Sequence, residues 1–327
     1  MPAIELDGVT KEFGDVTAVQ DLSLSVPEGT IFGFLGPNGA GKSTTIDMLL
    51  DFVRPSEGRI SVLGMDAQEQ SVAVRSRTGV LPEGFSVYDR LTGRQHVEFA
   101  IESKDAGDTP DALLERVGIA DAADRKAGGY SKGMQQRLAL AIALAGEPDL
   151  LILDEPTSGL DPGGAKELRE IIQAEAERGA TVFFSSHVLS QVEAVCDEVG
   201  ILREGELVAR GTVDELRDRA AGEARLHVSA PGLSDEALDA VRGLDGVGSV
   251  SVTDGDLLVT CDHDVKVDVL VELEDHGATV RDFRTEEASL EELFLSLTED
   301  AMHQTDDDSQ AANPADDTAA SGEVSES

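Results

Sequence analysis

The sequence predicts an α/β fold: a mainly parallel, doubly wound sheet with an antiparallel β edge and an inserted helical subdomain, followed by a small ferredoxin-like α+β domain. Three observations carry this. Strand and helix patterns alternate around a glycine-rich loop at 36–41. The apolar run Leu150-Leu151-Ile152-Leu153 has the composition of a strand buried on both faces of a parallel sheet. Beyond about residue 222 the order becomes β-α-β-β-α-β on a smaller scale.

Taken in chain order, residues 4–26 alternate apolar and polar side chains, as half-buried antiparallel strands do. Residues 30–35 form a more continuous apolar strand that runs into the glycine-rich loop. A helix follows from Lys42 to the break at Arg54-Pro55, and 59–63 returns as a short strand. From 92 to 146 apolar residues recur at helical spacing with no strand signal, which marks the inserted helical subdomain. Helix is then expected over 165–178 and 188–196, and strand over 181–185.

In the second domain, 224–228 reads as a strand and 234–241 as a helix capped by Ser234. A hairpin over 247–252 and 257–261 would turn at Asp254-Gly255. Helix 265–276 would stop at Gly277, with a strand at 279–283 and a last helix at 289–297. The boundaries expected are 1–220, with the helical subdomain at about 92–146, then 223–298, then a disordered acidic tail over 299–327.

The formal charge is −39. The tail holds nine acidic residues and no lysine or arginine, so residues 1–298 still carry 56 acids against 26 bases. Such a surface repels DNA and RNA phosphates, which excludes nucleic acid as a partner. It also repels itself unless salt screens it, since the Debye length falls to about 3 Å near 1 M salt. With arginine outnumbering lysine, the balance is that of a halophile-type proteome. No stretch approaches the roughly 18 apolar residues of a membrane span, and no secretory leader is visible. Cys196 and Cys261 lack ligand spacing and read as ordinary reduced thiols.

The chemistry concentrates in Gly36-Pro37-Asn38-Gly39-Ala40-Gly41-Lys42-Ser43-Thr44, which satisfies G-x-x-x-x-G-K-[ST]. Glycines let successive backbone N–H groups turn toward a β-phosphate at a helix N-terminus. Lys42 would reach the β- and γ-phosphates, and the Ser43 hydroxyl would hold Mg²⁺. The apolar strand 150–153 ends in Asp154-Glu155 at the carboxyl edge of the sheet, where ligands bind in such folds. Asp154 would hold Mg²⁺ and Glu155 would polarise the attacking water.

Three further elements fit around this site. Ser131, at a helix start, is either an ordinary N-cap or a donor to a γ-phosphate. Ser158-Gly159-Leu160-Asp161 follows the carboxylates. His187 closes the strand at 181–185, where its imidazole can meet a γ-phosphate.

This ordered set resembles the ATP-binding subunit of ABC transporters over roughly residues 3–220. The resemblance implies a P-loop NTPase of the ABC nucleotide-binding type, with ATP as substrate and Mg²⁺ as cofactor. It implies catalytic roles for Glu155, Lys42 and the switch His187, and a signature at Ser131-Lys132-Gly133-Met134-Gln135 that completes the ATP site of another subunit. Ser158 to Asp161 becomes a dimer-contacting loop. Phe13 stands where the family places an aromatic ring against adenine; a core residue is the other reading. Two motifs depart from the usual pattern: the signature, Tyr130-Ser131-Lys132-Gly133-Met134 where the family usually has Leu-Ser-Gly-Gly-Gln, and the loop at Leu81-Pro82-Glu83, with Glu83 in place of a glutamine that meets Mg²⁺ and the membrane partner. Both variants, and the ending Ser289-Leu290-Glu291-Glu292-Leu293-Phe294, resemble the drug-exporter-like branch.

The implied partners are a separately encoded integral membrane permease, docked near the helical subdomain, and a second ATP-binding subunit in a homodimer or heterodimer. The implied location is cytoplasmic, peripheral on the inner face of the cell membrane. An importer subunit and a soluble, non-transport ABC ATPase are the alternatives. Glu83 and the C-terminal domain count against the first. The single cassette and the absence of long coiled coils count against the second.

Overall fold

The computed structural model describes residues 1–220, 224–231, 233–253, 256–286 and 294. The expected helix at 289–297 (apart from Phe294), the turn at Asp254-Gly255 and the tail at 299–327 lie outside these residues.

The chain opens with β1 (Pro2–Phe13), β2 (Val16–Pro27) and β3 (Ile31–Leu35), and α1 (Lys42–Leu49) follows the glycine-rich loop. Next come β4 (Glu57–Val62), β5 (Met65–Asp66), α2 (Ser71–Arg77) and β6 (Thr78–Leu81). The helical insertion comprises α3 (Gly93–Lys104), α4 (Pro110–Arg116) and α5 (Lys132–Ala143). The chain returns through β7 (Leu150–Asp154), α6 (Pro162–Glu177), β8 (Thr181–Ser186), α7 (Leu189–Glu193), β9 (Glu198–Arg203), β10 (Glu206–Thr212) and α8 (Val213–Ala220).

Strands β2-β1-β4-β5 form one antiparallel sheet, and β10-β9-β3-β8-β7-β6 form a second, parallel except for the β9–β10 pair. The side-chain alternation of the central strands divides the core into two layers. Phe32, Phe34, Leu150, Ile152 and Phe183 pack with α1 and the antiparallel sheet, while Leu35, Leu151, Leu153, Val182 and Phe184 pack with the helical insertion. The six-stranded sheet is thus covered on both faces, and its carboxyl edge is left to carry the polar residues.

Local chemistry sets the helix starts. Thr92 and Gln95 form a reciprocal capping box at α3, with Gln95 N–H donating to Thr92 Oγ1 at 3.2 Å and Thr92 N–H to Gln95 Oε1 at 2.9 Å. Asp161 caps α6, accepting from Gly164 N–H at 3.1 Å, and Pro162 occupies its first position. That pair starts α6 three residues before the expected 165, because cap and proline outweigh the poor propensity of Gly163-Gly164. Ion pairs join α6 to the insertion: Glu175, 1% exposed, is met by Arg116, and the exposed Glu167 by Arg137, while Arg178 at the end of α6 also meets Glu175.

The C-terminal part contains β11 (Ala224–Ser229), α9 (Asp235–Arg242), β12 (Val247–Thr253), β13 (Asp256–Cys261), α10 (Lys266–Asp275) and β14 (Asp282–Glu286). Its sheet order, β12-β13-β11-β14 with every neighbouring pair antiparallel, is the ferredoxin-like arrangement. Ser234 caps α9, accepting from Ala237 N–H at 3.2 Å. The last strand lies three residues later than the expected 279–283, because pairing of Phe283 with Val228 sets the register. Val280 still packs on this core, ahead of the strand. Strands β5, β6, β9 and β10 and helices α2 and α8 had no counterpart in the sequence reading. Cys196 and Cys261 are buried and unbridged.

Candidate active site

Strand order explains where the site forms. β8 lies between β3 and β7, so the loop after β3, the carboxylates after β7 and the Ser-Ser-His run ending β8 emerge side by side. The loop itself depends on glycine. Gly39 and Gly41 have φ of +83° and +103°, left-handed conformations that favour glycine, and Gly41 sits at the N-cap of α1.

Lys42 is buried, with Nζ donating to Gly36 O at 2.8 Å and Pro37 O at 3.2 Å. Burial pushes its ammonium below the usual lysine value, while the charges of Glu155, Asp154 and Glu83 oppose that shift. Glu155 Oε1 lies 4.0 Å from Lys42 Nζ and 2.7 Å from His187 Nδ1. Glu155 also has a left-handed backbone, φ +48°, an uncommon conformation for a residue other than glycine.

Ser43 Oγ donates to Asp154 Oδ2 at 3.4 Å, and Ser185 Oγ donates to Asp154 Oδ1. A hydroxyl beside a carboxylate at a phosphate loop is a hard-oxygen donor set, which suits Mg²⁺ completed by phosphate oxygens and water. Among the described residues no cluster of three or more His, Cys, Asp or Glu forms a self-contained metal cage. The residues present therefore fit a metal that arrives with a phosphate ligand.

These groups line a cleft of about 270 Å³ that contains Asn38, Gly39, Gly41, Lys42, Ser43, Thr44, Glu83, Asp154 and Glu155. An adjoining cleft of about 180 Å³ shares Glu83, Asp154 and Glu155 and adds Lys132, Gln135 and Ser158. Gly36, Pro37 and Ala40 shape the loop without lining either space. Ser131 caps α5, accepting from Met134 N–H at 3.3 Å, and is exposed; Gly133 borders Leu160. Gly159, Leu160 and Asp161 lead from the carboxylates into α6.

Phe13 corrects one alternative. It is 50% exposed at the end of β1, with the Lys11 ammonium 4.7 Å from its ring centroid, so it is not a core residue. It does not line the phosphate cleft either. The sequence reading missed Ser185, Ser186 and Gln191. The signal for Ser185 and Ser186 was a hydroxyl pair ending a buried strand, since a buried hydroxyl requires a partner. It also missed β6, the strand that delivers Glu83 to the cleft.

Comparison with known proteins gives the family. Residues 19–158 match the family model described as ABC transporter, and 211–298 match the one described as ATP-binding protein DrrA1-3-like, C-terminal domain. The chain is 33% identical over 304 residues to the linearmycin resistance ATP-binding protein LnrL of Bacillus subtilis (strain 168), covering 90% of this chain and 98% of that one. It is 36% identical over 307 residues to the daunorubicin resistance ATP-binding protein DrrA3 of Streptomyces coeruleorubidus, covering 91% and 96%. Among solved structures, the ATP binding subunit of an ABC transporter superposes with a TM-score of 0.61 at 29% identity, covering 66% of this chain and 92% of that one. A bacterial Atm1-family ABC exporter with ATP bound gives 0.60 at 28% identity, covering 67% and 40%. ATP hydrolysis coupled to transport is the activity of this family, and the chain belongs to it, as an ABC transporter ATP-binding subunit of the drug-resistance, DrrA-like branch.

Proposed function

We propose that this chain hydrolyses ATP to drive a separately encoded membrane permease in the outward direction, with Glu155 polarising the attacking water. The observation that carries this reading is the Glu155 carboxylate, held 2.7 Å from His187 and 4.0 Å from Lys42 beside the phosphate loop. Backbone N–H groups of 38–44 would gather the β-phosphate, and Lys42 would exchange its carbonyl contacts for phosphate oxygens. Ser43 and Asp154, with Glu83 nearby, would hold Mg²⁺, which neutralises phosphate charge when bound. Glu155 then aligns a water against the γ-phosphate. His187, as an imidazolium with both ring nitrogens donating, would hold Glu155 through Nδ1 and a γ-phosphate oxygen through Nε2. Catalysis on this plan is positioning and charge stabilisation rather than covalent chemistry.

Ser131 to Gln135 would complete the site of a second ATP-binding subunit, with Ser158 to Asp161 at the contact, so that two ATP molecules lie between two subunits. Phe13, exposed at the end of β1, would carry the adenine. ATP would favour the closed pair and hydrolysis would release it, moving the permease between two states. A groove of about 780 Å³ beside the helical insertion supports a permease contact there. Val80, Phe85, Leu91 and Ile142 line it, and Tyr88 and Phe99 stand 72% and 70% exposed on its walls. No helix among the described residues is long and apolar enough to cross a membrane, so the chain would act at the membrane's inner face through that partner. The resistance functions in the names of the two relatives support export. The charge of −39 supports a molar-salt interior as the working medium.

The test is isolation of the chain from membranes in high salt. An integral membrane protein should co-purify, and the complex should hydrolyse ATP faster than the chain alone. Recovery of active ATPase with no membrane protein under any salt condition would exclude the transport reading.

A further inference from the structure

At the end of β8, Ser186 is fully buried and its Oγ meets three groups. The Val188 backbone N–H donates to it at 3.0 Å. Gln191 Oε1 lies 3.0 Å away and Glu155 Oε2 3.5 Å away. A serine hydroxyl has one proton to give, so these two oxygens compete for it. An O–H···O bond is ordinary at 3.0 Å and weak at 3.5 Å, so the proton goes to Gln191.

This distribution is not what the acceptors alone would choose. A carboxylate is the stronger acceptor, and a hydroxyl free to turn would favour it over a neutral amide. Gln191 prevails through geometry. The Gln191 backbone N–H bonds to Val188 O at 3.2 Å, and the backbone N–H of Val188 in turn holds Ser186 Oγ, so one turn fixes both ends of the contact. Glu155 Oε1 is already engaged by His187 at 2.7 Å. Among the described residues, Oε2 meets no hydrogen-bond donor nearer than Ser186.

We propose that Gln191 is a positioning residue for hydrolysis: its amide oxygen draws the Ser186 proton away from Glu155 and leaves Oε2 as the acceptor for the attacking water. This rests on the reading of Glu155 as the water-polarising carboxylate. A full hydrogen bond from Ser186 would occupy Oε2 and stabilise its charge, which weakens its pull on water. Gln191 touches neither nucleotide nor water in this account; it acts through Ser186.

The experiment measures steady-state ATPase and nucleotide affinity of the full chain for Gln191→Met, Ser186→Ala/Gln191→Met and Gln191→Glu, with Glu155→Gln in the same series. Gln191→Met lacks the acceptor oxygen at nearly the same volume. It should lower kcat by about tenfold, a fraction of the range typical for a general base, while ATP affinity stays within about twofold. The double variant removes the competing hydroxyl and should recover most of that loss. Gln191→Glu keeps an acceptor oxygen and should turn over faster than Gln191→Met. Wild-type turnover by Gln191→Met, or a double variant no faster than Gln191→Met, overturns the proposal. If Glu155→Gln hydrolyses normally, the reading of Glu155 itself fails. An inactive Glu155→Gln beside a normal Gln191→Met overturns only the role of Gln191.

Discussion

His187 Nδ1 stands 2.7 Å from Glu155 Oε1, and the same oxygen faces Lys42 Nζ at 4.0 Å. One carboxylate oxygen therefore joins the end of β8 to the phosphate loop. Its partner oxygen is turned toward Ser186, and the left-handed backbone of Glu155 holds the side chain at the carboxyl edge of the sheet. Replacing Glu155 by glutamine keeps the shape and removes the charge. Turnover should fall by at least about a hundredfold with ATP binding retained, read by phosphate release and by equilibrium nucleotide titration. A variant hydrolysing at the wild-type rate would remove Glu155 from the mechanism.

Lys42 should make nucleotide binding depend on alkaline pH. Burial lowers its ammonium below the usual 10.5, and arriving phosphates favour the protonated form. As pH rises through that lowered value, the free protein loses the proton that the complex retains, so ATP affinity falls and binding takes up protons. Calorimetry in buffers of different ionisation enthalpy measures the uptake. Lys42→Ala should weaken ATP binding by more than about tenfold and abolish the uptake; unchanged affinity would contradict the assignment.

Glu83 lines both clefts and is among the charges acting on Lys42. Glu83→Gln removes one hard anionic ligand from the vicinity of Ser43 and Asp154. The Mg²⁺ concentration for half-maximal ATPase should rise several-fold. An identical Mg²⁺ titration would place Glu83 outside the metal's surroundings.

The pair joining α6 to the helical insertion bears on stability. Glu175 is 1% exposed and bonded to both Arg116 and Arg178, the latter at 2.8 Å. Glu175→Ala should cost about 2–3 kcal/mol, because it strands two partly buried guanidinium groups. Arg116→Ala leaves Arg178 in place and should cost less. Urea unfolding midpoints compare the two; an Arg116 variant as unstable as the Glu175 variant would refute this ranking.

Salt should stabilise the chain. With a charge of −39, self-repulsion is relieved as the Debye length shrinks, so the melting temperature should climb between dilute buffer and molar KCl. A flat response would exclude a halophilic design.

Much of this molecule is written locally. The loop at 36–44 and the carboxylates Asp154 and Glu155 are legible because their chemistry depends on backbone freedom and strand ends within a few residues. Ser234 was legible as a helix cap for the same reason. The short strand β6 was not: Thr78–Leu81 has too few residues to show a period, and only its pairing with β7 makes it a strand. Asp161-Pro162 was likewise overlooked as a helix start beside two glycines.

What the residues alone determined was the kind of chemistry, since a lysine, glycines and paired acids at those spacings have few other uses. Which side chains meet was decided by the order of strands in space. β8 inserts between β3 and β7, although α6 and the helical insertion separate them along the chain. That placement brings Ser185 to Asp154 and His187 and Ser186 to Glu155, while pairing of β6 with β7 brings Glu83 to the cleft. Long-range pairing arises from burial of two sheet faces at once, and no local pattern of residues records it.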